Sequence, residues 1–221
     1  FCYIRDLETN EFWSNTYQPT RREPGKYEAM FTQGRAEFRR EDNDIETHTE
    51  VVVSPEDDME LRRVHIKNRS RRNRIIEVTS YSEVVLNSAA ADVIHPAFSN
   101  LFVQTEIVDD QHAIICTRRP RSAGEQLPWM CHIMKAHGAI HDGVYYETDR
   151  MKFLGRRNSV AAPFALTNEK PLSCSQGSVL DPIVAIRYKV ILSPGQTAVF
   201  DMITGVSDSR EGCQIIIDKC Q

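Results

Sequence analysis

Apolar and polar residues alternate along most of this chain with a period of two, the mark of strands with one buried face. Ile45, Thr47, Thr49, Val51 and Val53 fall on one side of such a strand, and Glu46, His48 and Glu50 on the other. Val64 and Ile66 continue the pattern, and a polar turn from Asn68 to Asn73 leads into a further strand over residues 75–86. Residues 101–108 and 112–117, joined by Asp109-Asp110-Gln111, predict a hairpin. Near the end, residues 183–192 and 197–204 flank Ser193-Pro194-Gly195, whose Pro-Gly pair marks a turn. Helix is scarce. Only the C-terminal residues carry a helical stripe, with Cys213, Ile216, Ile217 and Cys220 on one face and Ser209 as N-cap. A stripe at a terminus needs something to cover it, and a following domain is the expected cover. The pattern predicts an all-β fold, an antiparallel β-sandwich in one domain.

At 221 residues the chain is long enough for a single large sandwich. A net charge of −4 argues against nucleic acid as a partner. Arginines do cluster, at Arg69, Arg71, Arg72 and Arg74, where Asn68, Ser70 and Asn73 between them read as a solvated turn, and at Arg118, Arg119 and Arg121. The six cysteines are scattered without a paired spacing, so free buried thiols and a cytoplasmic location are expected. No apolar run has membrane-helix length, and no signal peptide stands at the start. Phe1-Cys2-Tyr3-Ile4 already reads as a strand, as though the chain were excised from a longer polypeptide.

No glycine-rich phosphate loop and no GxSxG elbow is present. His132, His137 and His141 have spacings seen in zinc sites but lack a helical frame, so they read as surface or core histidines, and no metal or cofactor is expected. Glu83 lies mid-strand and reads as a structural partner for an arginine, with a buried functional carboxylate as the alternative. Asp149-Arg150 after Tyr145-Tyr146 joins rings, a carboxylate and a guanidinium, the mixture that sugar sites favour, although a structural ion pair fits equally. No catalytic constellation emerges.

Several segments together resemble one family. Tyr3-Ile4-Arg5-Asp6-Leu7-Glu8-Thr9 followed by Glu11-Phe12-Trp13-Ser14, then Glu37-Phe38-Arg39-Arg40 and Glu50-Val51-Val52-Val53-Ser54-Pro55-Glu56-Asp57-Asp58, resemble the N-terminal β domain of family 94 glycoside phosphorylases. So does Thr79-Ser80-Tyr81-Ser82-Glu83-Val84-Val85-Leu86. The stretch His95-Pro96-Ala97-Phe98-Ser99-Asn100-Leu101-Phe102-Val103-Gln104-Thr105-Glu106 is similar to the version inside bacterial cyclic β-1,2-glucan synthases. Similar again are Thr117-Arg118-Arg119-Pro120-Arg121, Glu147-Thr148-Asp149-Arg150, Phe153-Leu154-Gly155-Arg156 and Ser178-Val179-Leu180-Asp181-Pro182-Ile183.

The resemblance implies a large supersandwich of the galactose mutarotase type over residues 1–206, with residues 207–221 beginning a linker helix. In the family an (α/α)6 barrel follows and holds the catalytic aspartate and the phosphate site. This chain is thus expected to carry no catalytic residue, to lack the family's glycine-rich first strands, and to partner the barrel of its own polypeptide. A β-glucan oligosaccharide, a possible homodimer and a membrane-bound parent in the bacterial inner membrane complete the expectation. The long loops carry the groups suited to a polar, ring-stacking ligand, which makes Phe98, Asn100, Arg118, Arg119, Arg121, Trp129, Tyr146, Asp149 and Arg150 the candidate carbohydrate-binding residues, and the resemblance adds that loops of this domain can reach the edge of the barrel's active site. The opposing reading makes Phe98 and Trp129 core and the arginines surface charge. Two other functions stay open. An autonomous mutarotase-like epimerase would pair His48 or His132 with Glu50 or Glu83; a plain structural spacer would order no such groups.

Overall fold

The alternating segments pair into two antiparallel sheets in a computed structural model that describes residues 1–120, 122 and 124–220. The strands are β1 (Cys2–Asp6), β2 (Phe12–Ser14), β3 (Lys26–Thr32), β4 (Arg35–Asp42), β5 (Ile45–Val53), β6 (Met59–Asn68), β7 (Arg74–Ser80), β8 (Ser82–Glu83), β9 (Val103–Val108), β10 (Ala113–Arg118), β11 (Trp129–His137), β12 (Ile140–Asp149), β13 (Gly177–Ser178), β14 (Pro182–Leu192) and β15 (Thr197–Ser207). Short helices α1 (Ala89–Ile94), α2 (Pro96–Asn100) and α3 (Arg150–Leu154) interrupt them, and α4 (Arg210–Lys219) follows the last strand. Among the described residues, one sheet has six strands in the order β12-β14-β7-β1-β2, with β8 beside β14. The other has nine, in the order β13-β9-β10-β11-β15-β6-β5-β4-β3.

The expected all-β sandwich is therefore the fold, and the alternation sets its faces. Ile45, Val64, Ile66, Met134 and Phe200 of the large sheet meet Ile4, Trp13, Val78, Ile186 and Val190 of the small one. The larger sheet outruns the smaller. All of β3 is exposed, and Phe31 (74% exposed) and Val53 (70%) face no second layer. The predicted hairpin is β9–β10, closed by one 3-10 turn at Asp109–Gln111.

The turns at residues 68–73 and 193–195 are not hairpins. Each carries the chain from one sheet to the other, β6 to β7 and β14 to β15. The buried Asn68 ties the crossings together by donating from Nδ2 to Arg72 O (2.7 Å) and Leu192 O (2.9 Å). The arginine-rich turn is solvated at Arg69, Arg71 and Arg72 but not at Arg74. Arg74 is buried, paired with the buried Asp6, and donates from Nη1 to Asn43 O at 2.9 Å. An arginine beside three exposed ones is buried here because its countercharge comes from β1.

Two further apolar layers close the outer faces. Phe153, Leu154, Ala165, Leu166 and Leu172 pack on Tyr3, Phe12, Tyr81 and Ile183 outside the small sheet. Gly155 ends α3 at φ +78°, where a Cβ would meet Phe164 Cβ at 2.7 Å, so the turn out of the helix needs glycine. Ser209 caps α4 as read, its Oγ accepting from Gly212 N at 3.0 Å. The stripe of α4 does not await another domain for its cover. Cys213, Ile216 and Ile217 are buried on Ala113, Ile115, Cys131, Ile133 and Ile203 of the large sheet, with Cys220 at the margin. Gly205 permits that approach, since a Cβ there would lie 3.0 Å from Ile216 Cδ1. All six cysteines are free. No helix among the described residues is long and apolar enough to cross a membrane.

Candidate functional site

One end of the sandwich gathers side chains from segments far apart in sequence. β8 pairs with the start of β14 and brings Glu83 beside Asp181. Asp149 closes β12 and caps α3, accepting from Met151 N at 2.9 Å and Lys152 N at 3.3 Å, which turns Arg150 toward the same place. Arg150 Nε then donates to Glu83 Oε1 at 2.9 Å, and Nη1 lies 3.3 Å from Asp181 Oδ2. The Tyr81 hydroxyl donates to Glu83 at 3.0 Å, and Asn100 Nδ2 to Asp181 Oδ1 at 3.0 Å. Tyr81, Glu83, Arg150, Asp181 and Asn100 thus form one chain of polar contacts, half open to water at its charged members. Burial pushes the Tyr81 phenol up, and the Glu83 charge adds to it. Burial opposes the charge of Arg150, but the hydrogen bond and charge of Glu83 outweigh it and raise its pKa.

An aromatic edge adjoins this chain. Phe98, on α2 with Asn100, is 59% exposed and meets Phe102 edge-on at 5.2 Å. The Arg119 and Arg118 guanidinia stand 5.6 and 5.8 Å from the Phe102 ring centroid. Arg118 is buried and donates to Ser99 Oγ at 3.1 Å, whereas Arg119 is exposed and donates to Leu101 O at 2.8 Å. Of the candidate carbohydrate residues, Phe98, Asn100, Arg118, Arg119 and Arg150 meet at this end, with Asp149 as the helix cap behind Arg150.

Two others belong elsewhere. Tyr146 lies in the core between the sheets, because its parity on β12 points it inward, and its hydroxyl reaches Asp109 O at 3.4 Å. Trp129 packs half-buried in the cluster under α4 with Met59 and Leu61. Arg121 lies outside the described residues. The sequence reading missed Asp181, whose signal was its place before Pro182 in the segment quoted above.

The histidines separate. His132 faces inward at a cavity of about 240 Å³ lined by Glu60, Arg62, Ser80, Tyr81 and Thr204. Its ring nitrogens are both engaged, Nδ1 with Thr204 Oγ1 and Nε2 with Ser80 Oγ, each at 2.9 Å. Burial, with the nearby Arg62 adding to it, lowers its pKa to about 3. A histidine held neutral in this way has no proton to give a sugar ring oxygen near neutral pH. Glu83 lies on Arg150, while His48 and Glu50 lie side by side on the outer face of the large sheet, away from His132. His137 pairs with Asp201 at 3.4 Å, and His141 packs on Tyr188 at 5.3 Å. His132, His137 and His141 do not converge.

The family model of the glycosyl hydrolase 94 supersandwich domain matches residues 1–221. The chain belongs to that family. This supersandwich domain is 36% identical over 220 residues to the cyclic beta-(1,2)-glucan synthase NdvB of Rhizobium meliloti (strain 1021), covering 99% of the chain and 8% of that protein. It is 24% identical over 219 residues to the solabiose phosphorylase of Paenibacillus borealis, covering 99% of the chain and 27% of that protein. The domain thus spans a small part of each relative. Among solved structures, a putative kojibiose phosphorylase from human microbiome superposes with TM-score 0.54 at 8% identity, over 99% of this chain and 24% of that one. The polysaccharide lyase BACCELL_00875 gives the same TM-score, 0.54, at 13% identity, over 98% of this chain and 27% of that one. At such identities the two structures speak for the sandwich alone.

Proposed function

We propose that this supersandwich domain is the non-catalytic module of a β-glucan-processing polypeptide, close in kind to a cyclic β-1,2-glucan synthase. In this reading it shapes the glucan-binding cleft beside an (α/α)6 barrel of the same polypeptide and supports dimerisation. The start of the linker to that barrel would lie in residues 207–221, and the domain would sit on the cytoplasmic side of a membrane-bound parent. The observation that carries the proposal is the half-open chain Glu83–Arg150–Asp181–Asn100 beside the exposed Phe98 ring. Sugars are held by such pairings, with charged and amide groups on the hydroxyls and a ring against the C–H face. The neutral His132, hydrogen-bonded at both ring nitrogens, speaks against that residue as the acid of an autonomous epimerase.

Two measurements test it. In the full-length protein, Arg150→Ala or Arg119→Ala is expected to raise KM for long glucans about tenfold, about 1.4 kcal/mol for one charge-assisted contact. Thermal stability should hold within about 2 °C, because Arg119 is exposed, Arg150 is partly so, and surface contacts of this kind contribute little to folding. An unchanged KM, or a loss of activity in step with stability, removes the sugar-contact role. The isolated domain is also expected to release no glucose 1-phosphate from β-1,2-glucan in millimolar phosphate. Release that disappears on changing Glu83 or Asp181 would overturn the non-catalytic reading.

A further inference from the structure

The outer face of the large sheet, away from α4, carries a polar cluster that the glucan reading does not use. His48 of β5 and His65 of β6 are direct cross-strand partners, and their rings stack at 5.8 Å with planes 23° apart. Glu50 follows two residues after His48 on the same face, and Glu37 of β4 stands directly opposite Glu50. One ring nitrogen of His48, one of His65 and one carboxylate oxygen of Glu50 all lie within 4.8 Å of one another. All three residues are half-buried. Two carboxylates in direct register repel, and two imidazoles beside them add no positive charge while neutral. Arg35 offsets part of this, reaching Glu37 at 2.6 Å and Glu50 Oε1 at 2.9 Å. Arg39 lies 3.9 Å from Glu37, and Arg63 is taken up by Asp201 at 2.7 Å.

The detail that singles out a ligand is Glu50 Oε2. It faces His65 Nε2 at 3.7 Å, too far for a hydrogen bond. Two ligands of one tetrahedral zinc ion, each about 2.0–2.1 Å from it, stand about 3.3 Å apart, so this gap closes with a small side-chain shift. Meanwhile Arg35 holds the other oxygen of Glu50, and Glu37 accepts at His48 Nε2 at 2.9 Å, the kind of outer partners that orient metal ligands. We propose that His48, His65 and Glu50 form a site for a divalent transition metal of the zinc class that pins β5 to β6. Two imidazoles and a carboxylate suit zinc, nickel or copper, and not the all-oxygen preference of magnesium or calcium. The site lies on the face of β5 and β6 opposite their buried Val64 and Ile66, so a metal there would fasten from outside a pair of strands that the core holds from within.

The test is calorimetric titration of the chelator-treated chain with zinc chloride, in a Cys174→Ser, Cys220→Ser background that removes the two accessible thiols. One equivalent of zinc is expected to bind, magnesium none, with affinity at least tenfold weaker in His65→Ala and in His48→Ala. Zinc should also raise the melting midpoint of the parent and not of His65→Ala, a readout that stands even if the variants melt lower to begin with. Absence of saturable zinc binding, or binding that both variants retain unchanged, overturns the proposal.

Discussion

Replacing Asp6 with alanine is expected to cost the domain about 3–5 kcal/mol, because it strands a buried charge. Asp6 and Arg74 are each at most 2% exposed and pair directly. Asp6 also accepts from Glu8 N at 2.9 Å and Thr9 Oγ1 at 3.1 Å, while Arg74 reaches Asn43 O in the β4–β5 turn. The pair therefore joins the turn after β1, strand β7 and the β4–β5 turn at one end of the sandwich. With the carboxylate gone, the Arg74 guanidinium keeps its desolvation cost and loses its countercharge. Domains are stable by about 5–15 kcal/mol, so the loss is a large share. Changing both residues together, Asp6→Leu with Arg74→Met, should recover most of it, since no unpaired charge remains. Urea unfolding at constant m-value measures this. A single mutant within about 1 kcal/mol of the parent would show that water reaches the pair.

Acid should act on the core through His132. Its pKa is about 3 in the folded chain, against an ordinary value of 6.5. Below pH 6.5 the unfolded chain binds a proton that the folded chain refuses, so stability is full above that pH and falls as the pH drops toward 3. The slope approaches about 1.4 kcal/mol per pH unit, and the whole window is worth on the order of 4–5 kcal/mol. Carboxylates also titrate in acid, so the comparison that isolates the histidine is with His132→Gln. That variant has no proton to take up, and its stability should fall less steeply between pH 6.5 and 4. Parallel profiles for the two proteins would mean that His132 is already accessible in the native state.

Much of the fold could be read because alternation is a local property. Ile45 to Val53 announces which face is buried with no knowledge of the partner sheet, and Ser209 announces the start of α4 by its own hydrogen bond. Which sheet a strand joins is not local. The turn at Pro194-Gly195 looks the same whether it returns the chain to the same sheet or passes it to the other. Short helices such as α2 and α3 have too few turns to show a stripe. The candidate surface was half legible for the same reason. Phe98, Asn100 and Arg150 stood out by type, but Asp181, which joins Asn100 to Arg150, matters only through contacts 31 and 81 residues away in sequence. Tyr146 was misjudged by one step of parity, since its neighbour Tyr145 faces the other way. In the metal proposal, the shared face of His48 and Glu50 is visible in the sequence, and the register that adds His65 is not.

The unequal size of the two sheets bears on how cooperatively the molecule unfolds. Between the layers, no strand can leave without opening the core, and everything there melts together. At the overhang, β3 shares no buried side chain with the small sheet and hangs on by its ladder to β4. Such a margin can peel and reclose without the rest of the molecule noticing. A single unfolding midpoint for this domain therefore reports on its double-layered body, and the β3 margin keeps a separate, softer stability of its own.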